Sequence, residues 1–164
     1  MKWVIVFLSI FVLLLVIIVM GIILLNKKNF VAKEKFFIIK INNTNILVKA
    51  VISQKEKEKG LSGRDDLGEN QGMLFVYDKP GFYEFWMKNM KYPIDIIWID
   101  SAGQIIDMAQ NIPVPDDNSE LITYISSQPA QYILEVNAGF IKGNNIKIGD
   151  KADLSGVFNR NKIS

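Results

Sequence analysis

The chain has 164 residues, with 19 Lys or Arg against 17 Asp or Glu, and this near balance of charge gives no reason to expect a nucleic-acid partner. It contains no cysteine and no histidine, which excludes disulfides, thiol nucleophiles, Ser-His-Asp triads and zinc sites built on Cys or His. The length allows one ordinary domain with an appendage.

The first predicted element is an uncharged apolar helix at the N-terminus. Residues Trp3 to Leu25 are apolar except for Ser9 and Gly21 and show no polar stripe of the kind that a core helix carries. As a helix they would be about 35 Å long, enough for a hydrocarbon core of roughly 30 Å. A cleaved signal peptide has a shorter apolar run of about 7–15 residues that ends in small residues. Residues 1–26 are therefore predicted to be an uncleaved transmembrane anchor, contacting the lipid bilayer through residues 3–25.

A basic linker, residues 27–35, follows the predicted anchor. It contains four lysines and one glutamate, and positive charge favours the cytoplasmic side of a membrane. A very short N-terminal tail before one apolar helix is also typical of exported, anchored domains. The lysines either contact anionic lipid head groups, at about 1 kcal/mol each, or form a solvated linker. The charge count alone therefore favours a cytoplasmic domain, whereas the short N-terminal tail favours an exported one.

Residues 36–155 show the pattern of many short strands separated by turn residues. The predicted strands are Phe36–Ile41, Asn45–Ile52, Met73–Tyr77, Phe82–Met90, Ile94–Asp100, Gln104–Gln110, Leu121–Ile125, Tyr132–Val136 and Lys151–Leu154. Lys79-Pro80-Gly81 is predicted to form a type II turn. This pattern, with one or two short helices, predicts a mostly β domain with a compact sandwich or barrel-like architecture. Residues 156–164 are predicted to be a flexible tail.

Two short helices are predicted within this domain. Ser53 is a capping residue for Gln54–Lys59, because Glu56 stands at the third helical position and Gly60 follows the last. Ala138–Lys142 is predicted to form one helical turn.

The densest group of aromatic and polar side chains ends at Asp95. This aspartate lies in a predicted strand that is apolar on both faces, so it is expected to be buried. A buried carboxylate needs a cation or several hydrogen-bond donors, and Lys88, Lys91 and Arg64 are the available cations. One interpretation is a buried tie that holds a strand to a loop, and the other is the polar floor of a pocket.

Two loops contain residue types that could form further sites. Gly60–Arg64 combines glycines, which allow close backbone approach, with a guanidinium that can bind a carboxylate or phosphate. Asp116–Glu120 offers oxygen ligands but lacks the spacing and the glycine of an EF-hand, so a solvated loop is predicted there. No metal and no cofactor is predicted.

Six short motifs occur in a fixed order along the domain. They are Gly60-Leu61-Ser62-Gly63-Arg64, Gly72-Met73-Leu74-Phe75, Phe85-Trp86-Met87-Lys88-Asn89-Met90, Pro93-Ile94-Asp95-Ile96, Leu134-Glu135-Val136-Asn137-Ala138-Gly139 and Ile148-Gly149-Asp150. Together they resemble the bacterial and archaeal family catalogued as domain of unknown function 192, over about residues 36–155. The resemblance implies a compact, mostly β fold that is often exported or membrane-anchored, with no established activity. It therefore favours an extracytoplasmic domain, against the charge count.

Arg64, Trp86, Lys88, Asn89 and Asp95 are the candidate ligand-binding residues, because an aromatic wall with a few oriented polar groups is how small-ligand sites are built. The favoured hypothesis is a non-catalytic module at the cell membrane that binds a small ligand or acts as an accessory, with its domain on the extracytoplasmic side. One alternative is a structural or assembly partner in a membrane complex. The other is an enzyme that uses Asp95 and Lys88 as an acid–base pair.

Overall fold

The computed structural model of the chain describes residues 2–29, 35–116 and 122–158. The chain divides into two compact units, Met1–Glu34 and Lys35–Ser164. The first unit contains helix α1, Lys2–Asn29, and its side chains from residue 10 to residue 20 are all exposed. Among the residues described, no helix is both long enough and apolar enough to cross a membrane.

The second unit is mostly β, as predicted. Its elements in chain order are β1 (Phe36–Ile41), β2 (Thr44–Val51), α2 (Gln54–Lys59), β3 (Gln71–Gly81), β4 (Phe85–Trp86), β5 (Ile94–Ile99), β6 (Ile105–Ile112), β7 (Thr123–Tyr124), β8 (Ala130–Asn137), α3 (Phe140–Gly143), β9 (Ala152–Asp153) and α4 (Ser155–Phe158). Within the described residues, seven strands form one sheet in the order β6-β5-β8-β3-β2-β1-β9, while β4 and β7 form a separate ribbon. The β2–β3 pair is parallel and its neighbours are antiparallel.

The large sheet curls, and a few main-chain hydrogen bonds join the start of β6 to the segment around β9. The Ile105 amide donates to the Asp150 carbonyl at 2.8 Å, and the Ala152 amide donates to the Gly103 carbonyl at 2.8 Å. Gly103 has φ +81°, and a Cβ at this position would lie 2.8 Å from the Ala152 carbonyl oxygen, so the seam requires glycine. The domain is therefore a curled half-barrel, and the barrel-like prediction holds at this level.

The buried apolar side chains form two clusters, one on each face of the sheet, because side chains alternate along each strand. The inner cluster includes Ile39, Val48, Leu74, Ile97, Leu134 and Ile141. The outer cluster includes Met73, Phe75, Ile96, Trp98 and Ile133, and it is covered by Leu61, Phe85, Met87 and Met90. Strand β5 is buried on both faces, as its sequence predicted. The outer cluster is the layer that supports the candidate site.

The predicted turn at Lys79-Pro80-Gly81 is wrong. Strand β3 continues to Gly81, which pairs with Ala130, and the register shifts between Val76 and Gly81. Pro80 has no backbone N–H to donate to a neighbouring strand. The strand tolerates it because the regular hydrogen bonds between β3 and β8 are interrupted between Val76 and Gly81.

The predicted strand Phe82–Met90 is mostly wrong, since only the two-residue strand β4 forms within it, and β4 pairs with β7. Asn89 adopts φ +57° and the Met90 amide donates to the Met87 carbonyl, so the chain turns before it reaches β5. Helix α2 forms with the predicted bounds and cap, and the Ser53 hydroxyl accepts from the Glu56 amide. Several predicted segments extend outside the described residues. These parts are residues 30–34 of the basic linker, residues 117–120 of the acidic loop, the first residue of the strand predicted from Leu121, and residues 159–164 of the tail.

Candidate functional site

Asp95 is a buried tie on the inner face of the sheet, fully enclosed at 0% exposure. Its Oδ1 accepts from the Asn111 amide at 2.8 Å, and its Oδ2 accepts from the Ile141 amide at 2.9 Å. It therefore joins β5 to the end of β6 and to the start of α3. The two backbone donors satisfy the carboxylate, so it needs no cation. Because it points to the inner face, it does not line a pocket on the outer face.

Lys88 and Asn89 lie on the surface, and their backbone holds the preceding loop in place. The Ser62 hydroxyl donates to the Lys88 carbonyl at 2.8 Å, and the Gly63 amide donates to the Asn89 carbonyl at 2.9 Å. Both side chains are exposed. The loop that carries Arg64 is thus joined to the segment after β4 by one side-chain and one main-chain donor, both of which bond to main-chain carbonyls.

Trp86 is the member of the predicted set that lines a cleft. This cleft has a volume of about 500 Å³ and lies between α2, β3 and the residues around β4. The structure therefore separates Asp95 from the other candidates and brings Trp86 into a concave site. The ligand-binding role assigned to the five residues stays a prediction.

Aromatic side chains form much of the cleft wall: Phe75, Tyr77, Tyr83, Phe85 and Trp86. The Phe75 and Phe85 rings meet edge to face with centroids 4.8 Å apart. The Tyr77 and Tyr83 rings stack with centroids 3.4 Å apart and an interplanar angle of 14°. Rings that pack against one another in this way lose little further freedom when a ligand binds, so the wall is largely preformed.

Glu135 lines the same cleft and is a residue that the sequence reasoning missed. It pairs across the sheet with Met73 and Ile96, both members of the outer cluster, so its carboxyl lies among apolar side chains. It is 5% exposed, and its Oε2 has no hydrogen-bond partner among the described residues. Burial raises the pKa of Glu135 to about 8. The available signal was one charged residue in the otherwise apolar strand Tyr132–Val136.

Two tyrosines lie close enough to Glu135 to respond to its charge. Burial, then Tyr83 and then Glu135, raise the pKa of Tyr77 to about 12. Burial is also the main cause that raises the pKa of Tyr92, with Arg64 opposing and Glu135 adding to the shift. The Tyr92 hydroxyl, like the indole nitrogen of Trp98, is buried without a hydrogen-bond partner among the described residues. Polar atoms short of partners therefore concentrate beside the outer cluster.

A cation already lies against the aromatic wall. The Lys57 Nζ, from α2, lies 4.0 Å from the Tyr77 ring centroid. Burial lowers the pKa of this lysine, while the charge of Asp78 opposes the change. Within the described part of the chain there is no group of three or more acidic, His or Cys side chains that could hold a metal ion. The arrangement is suited to binding an organic molecule through aromatic contact and one buried carboxyl.

The fold is that of a small, curled, mostly β domain, and in this chain an acidic group lies buried beneath the aromatic wall of the cleft. Residues 37–154 match the family model DUF192, described as an uncharacterised ACR, and the chain belongs to this family. The resemblance seen in the six ordered motifs is thereby confirmed. A search of curated proteins found no match.

Two solved structures share the fold. A crystal structure of a protein of unknown function from Novosphingobium aromaticivorans DSM 12444 matches with a TM-score of 0.67 and 25% identity, covering 76% of this chain and 89% of that one. A crystal structure of a candidate transcription regulator from Sinorhizobium meliloti 1021 also matches with a TM-score of 0.67, at 27% identity, covering 75% of this chain and 96% of that one.

Proposed function

We propose that the domain binds a small organic ligand in the aromatic cleft, without catalysing a reaction, and that α1 holds it at a membrane on the extracytoplasmic side. The observation that carries the binding proposal is the Glu135 carboxyl, which lies buried in the cleft without a partner for its Oε2 among the described residues. A buried polar atom without a partner costs about 1–3 kcal/mol, so a ligand that supplies the partner gains specific affinity.

The cleft has the size and chemistry of small-molecule sites. A volume of about 500 Å³ lies within the usual range for such pockets, and the lining combines several rings with few polar groups. The fold itself does not require a carboxyl at position 135, because an apolar side chain or Gln would pack there without an ionisation cost. A buried position that departs from the usual apolar pattern, as Glu135 does, is expected at a functional site.

The membrane part of the proposal is supported by the sequence of the first unit. Residues Trp3 to Leu25 carry no charge, and the side chains from Ile10 to Met20 are exposed and apolar throughout. Exposed apolar surface is unfavourable in water by about 25 cal/mol per Å², so a hydrocarbon environment would stabilise this helix. The resemblance to a family that is often exported or anchored supports the extracytoplasmic side.

A ligand screen on the full chain in detergent micelles tests the binding proposal. Small amines, acids, sugars and aromatic compounds are tested for a rise in melting temperature. Hits are then repeated on Trp86→Ala and on Phe36→Ala, because the two side chains are equally exposed, at 41% and 40%, but only Trp86 lines the cleft. We expect hits that are lost in Trp86→Ala and kept in Phe36→Ala. A screen in which no compound shows this difference argues against the cleft as a binding site.

Protease accessibility tests the membrane proposal. We expect a protease added to spheroplasts to digest the domain while a cytoplasmic control protein stays intact. Protection of the domain until the cells are lysed would place it on the cytoplasmic side. Recovery of the full chain in the soluble fraction would contradict the proposal that α1 anchors it to a membrane.

A second candidate function, assembly with a membrane protein, is favoured by one further observation. Apolar side chains flank the β4–β7 ribbon on the surface: Phe82, Ile122 and Ile125 are 49–64% exposed. The chain has no natural cysteine, so Ile122→Cys provides a single crosslinking position, and Ile148→Cys provides a control of similar exposure. A discrete adduct in membranes from the first variant alone would support assembly, and identical patterns from both would oppose it.

A further inference from the structure

We propose that the ligand of this cleft carries a positively charged amino group, which pairs with the Glu135 carboxylate while the rest of the ligand contacts the aromatic wall. This inference rests on the proposed binding function and specifies the chemical class of the ligand. The occupant is a small alkyl or arylalkyl ammonium compound, of a size that fits a cleft of about 500 Å³.

The first argument is that the buried carboxyl lacks a cation. Burial is the cause of the raised pKa of Glu135, and no basic group of the described residues offsets it. The basic side chains that line the cleft act elsewhere, since Lys57 lies on the Tyr77 ring while Lys59 and Lys79 are exposed. A buried carboxylate is stabilised when it is paired and hydrogen-bonded. An ammonium group supplies a charge and up to three donors, whereas an anionic ligand would be repelled.

The second argument is that the aromatic wall already accepts an ammonium group. The Lys57 Nζ lies over the Tyr77 ring at 4.0 Å, on a ring that also stacks against Tyr83. This intramolecular contact is a primary alkylammonium on a tyrosine face, within the range of a cation–π interaction. Phe75, Phe85 and Trp86 offer further ring surface in the same cleft. Aromatic rings around a carboxylate are well suited to bind organic cations.

The third argument concerns the proton. The charged and titratable groups that line the cleft with Glu135 are Lys57, Glu58 and Lys59 on α2, Tyr77, Asp78 and Lys79 on β3, and Tyr83 and Glu84 before β4. Tyr92 also responds to the charge of Glu135, and Arg64 and Asp66 act on this tyrosine as well. With a pKa of about 8, Glu135 is roughly nine-tenths protonated at pH 7, so pairing with an ammonium group releases about 0.9 proton per ligand. At pH 9 the carboxyl is already ionised, and the release falls to about 0.1 proton. A neutral ligand that accepts a hydrogen bond from the protonated carboxyl would release none.

Calorimetry with three probes of similar shape tests this inference on the full chain in detergent micelles. The probes are 2-phenylethylamine, which is cationic, 2-phenylethanol, which is neutral, and 3-phenylpropionate, which is anionic. Titrations at pH 7 in phosphate and in Tris give the number of protons released, because the two buffers differ in ionisation enthalpy. We expect the amine to bind at least tenfold more tightly than the alcohol, with about 0.9 proton released.

Two variants connect the result to the carboxyl. Glu135→Gln is expected to weaken amine binding at least tenfold and to abolish proton release, while binding of the alcohol is unchanged. Glu69→Gln removes an exposed carboxylate that lies outside the cleft lining, so it is the control and should bind the amine as the natural chain does.

The outcomes separate the two proposals. Equal affinity for amine and alcohol, or amine binding that survives Glu135→Gln, would overturn the ammonium inference while leaving the cleft as a binding site. Failure of the amine to bind also overturns it. The proposal that the cleft binds a ligand is contradicted only if the wider screen finds no compound whose binding depends on Trp86.

Discussion

The Glu135 carboxyl makes the stability of the domain depend on pH in a way that can be worked out from its position. Burial raises its pKa to about 8 from an ordinary 4.5. Between these values the native state holds a proton that the unfolded chain releases, so the stability is fully present below about pH 4.5 and is lost as the pH rises to about 8. One pKa unit corresponds to about 1.4 kcal/mol, which gives a loss of about 3 kcal/mol at pH 7 and about 5 kcal/mol above pH 9.

Glu135→Gln keeps the shape of the side chain and removes the ionisation. We therefore expect the variant to equal the natural chain near pH 4.5 and to exceed it by about 3 kcal/mol at pH 7. For a domain of this size, that difference corresponds to a rise of roughly 10 °C in melting temperature.

Urea unfolding of the full chain in detergent micelles, followed by tryptophan fluorescence at pH 5, 7 and 9, measures the difference between variant and natural chain. The comparison requires equal m values, so that the midpoints report stability. Glu84→Gln, at an exposed position of the same cleft, should leave the pH dependence unchanged. A constant difference across pH would show that Glu135 does not titrate on unfolding, and a variant less stable at pH 7 would show that the native state holds an ionised carboxylate with a partner.

The remaining predictions concern stability and are measured by the same unfolding assay. Asp95→Ala should cost about 3–5 kcal/mol, because it leaves the buried Ile141 amide and the partly buried Asn111 amide without their charged acceptor, while cleft binding in the surviving folded protein is unchanged. Gly103→Ala should cost about 1–3 kcal/mol, since the new Cβ would lie against the Ala152 carbonyl at a positive φ. Ser53→Ala should cost about 1 kcal/mol through loss of the cap of α2. A change within about 0.3 kcal/mol at any of these positions would contradict the contact assigned to it.

The local sequence pattern was sufficient to predict those elements whose formation depends on neighbouring residues in the chain. The cap and bounds of α2 follow from Ser53, Glu56 and Gly60, and the β1–β2 hairpin follows from two apolar runs around a short polar turn. The burial of β5 follows from apolar residues on both of its faces. The family follows from the ordered motifs.

Tertiary structure decided the strand partners and the site. Phe82–Met90 has the composition of a strand, yet most of it covers the outer cluster, because the chain turns at Asn89 and the sheet pairs β5 with β8. Likewise, the extension of β3 through Pro80 depends on pairing near Ala130, which no local pattern encodes.

The two acidic residues show the same division. Asp95 and Glu135 each lie in an apolar strand and both are buried, although the sequence analysis predicted burial for Asp95 alone. Only the fold decided that Asp95 faces inward, where the backbone amides of Asn111 and Ile141 meet it, and that Glu135 faces outward into an aromatic cleft. Alternation along a strand assigns a side chain to one of two faces, but the elements that cover each face come from distant parts of the chain. Those elements determine whether a buried carboxyl acts as a structural tie or as a candidate binding group.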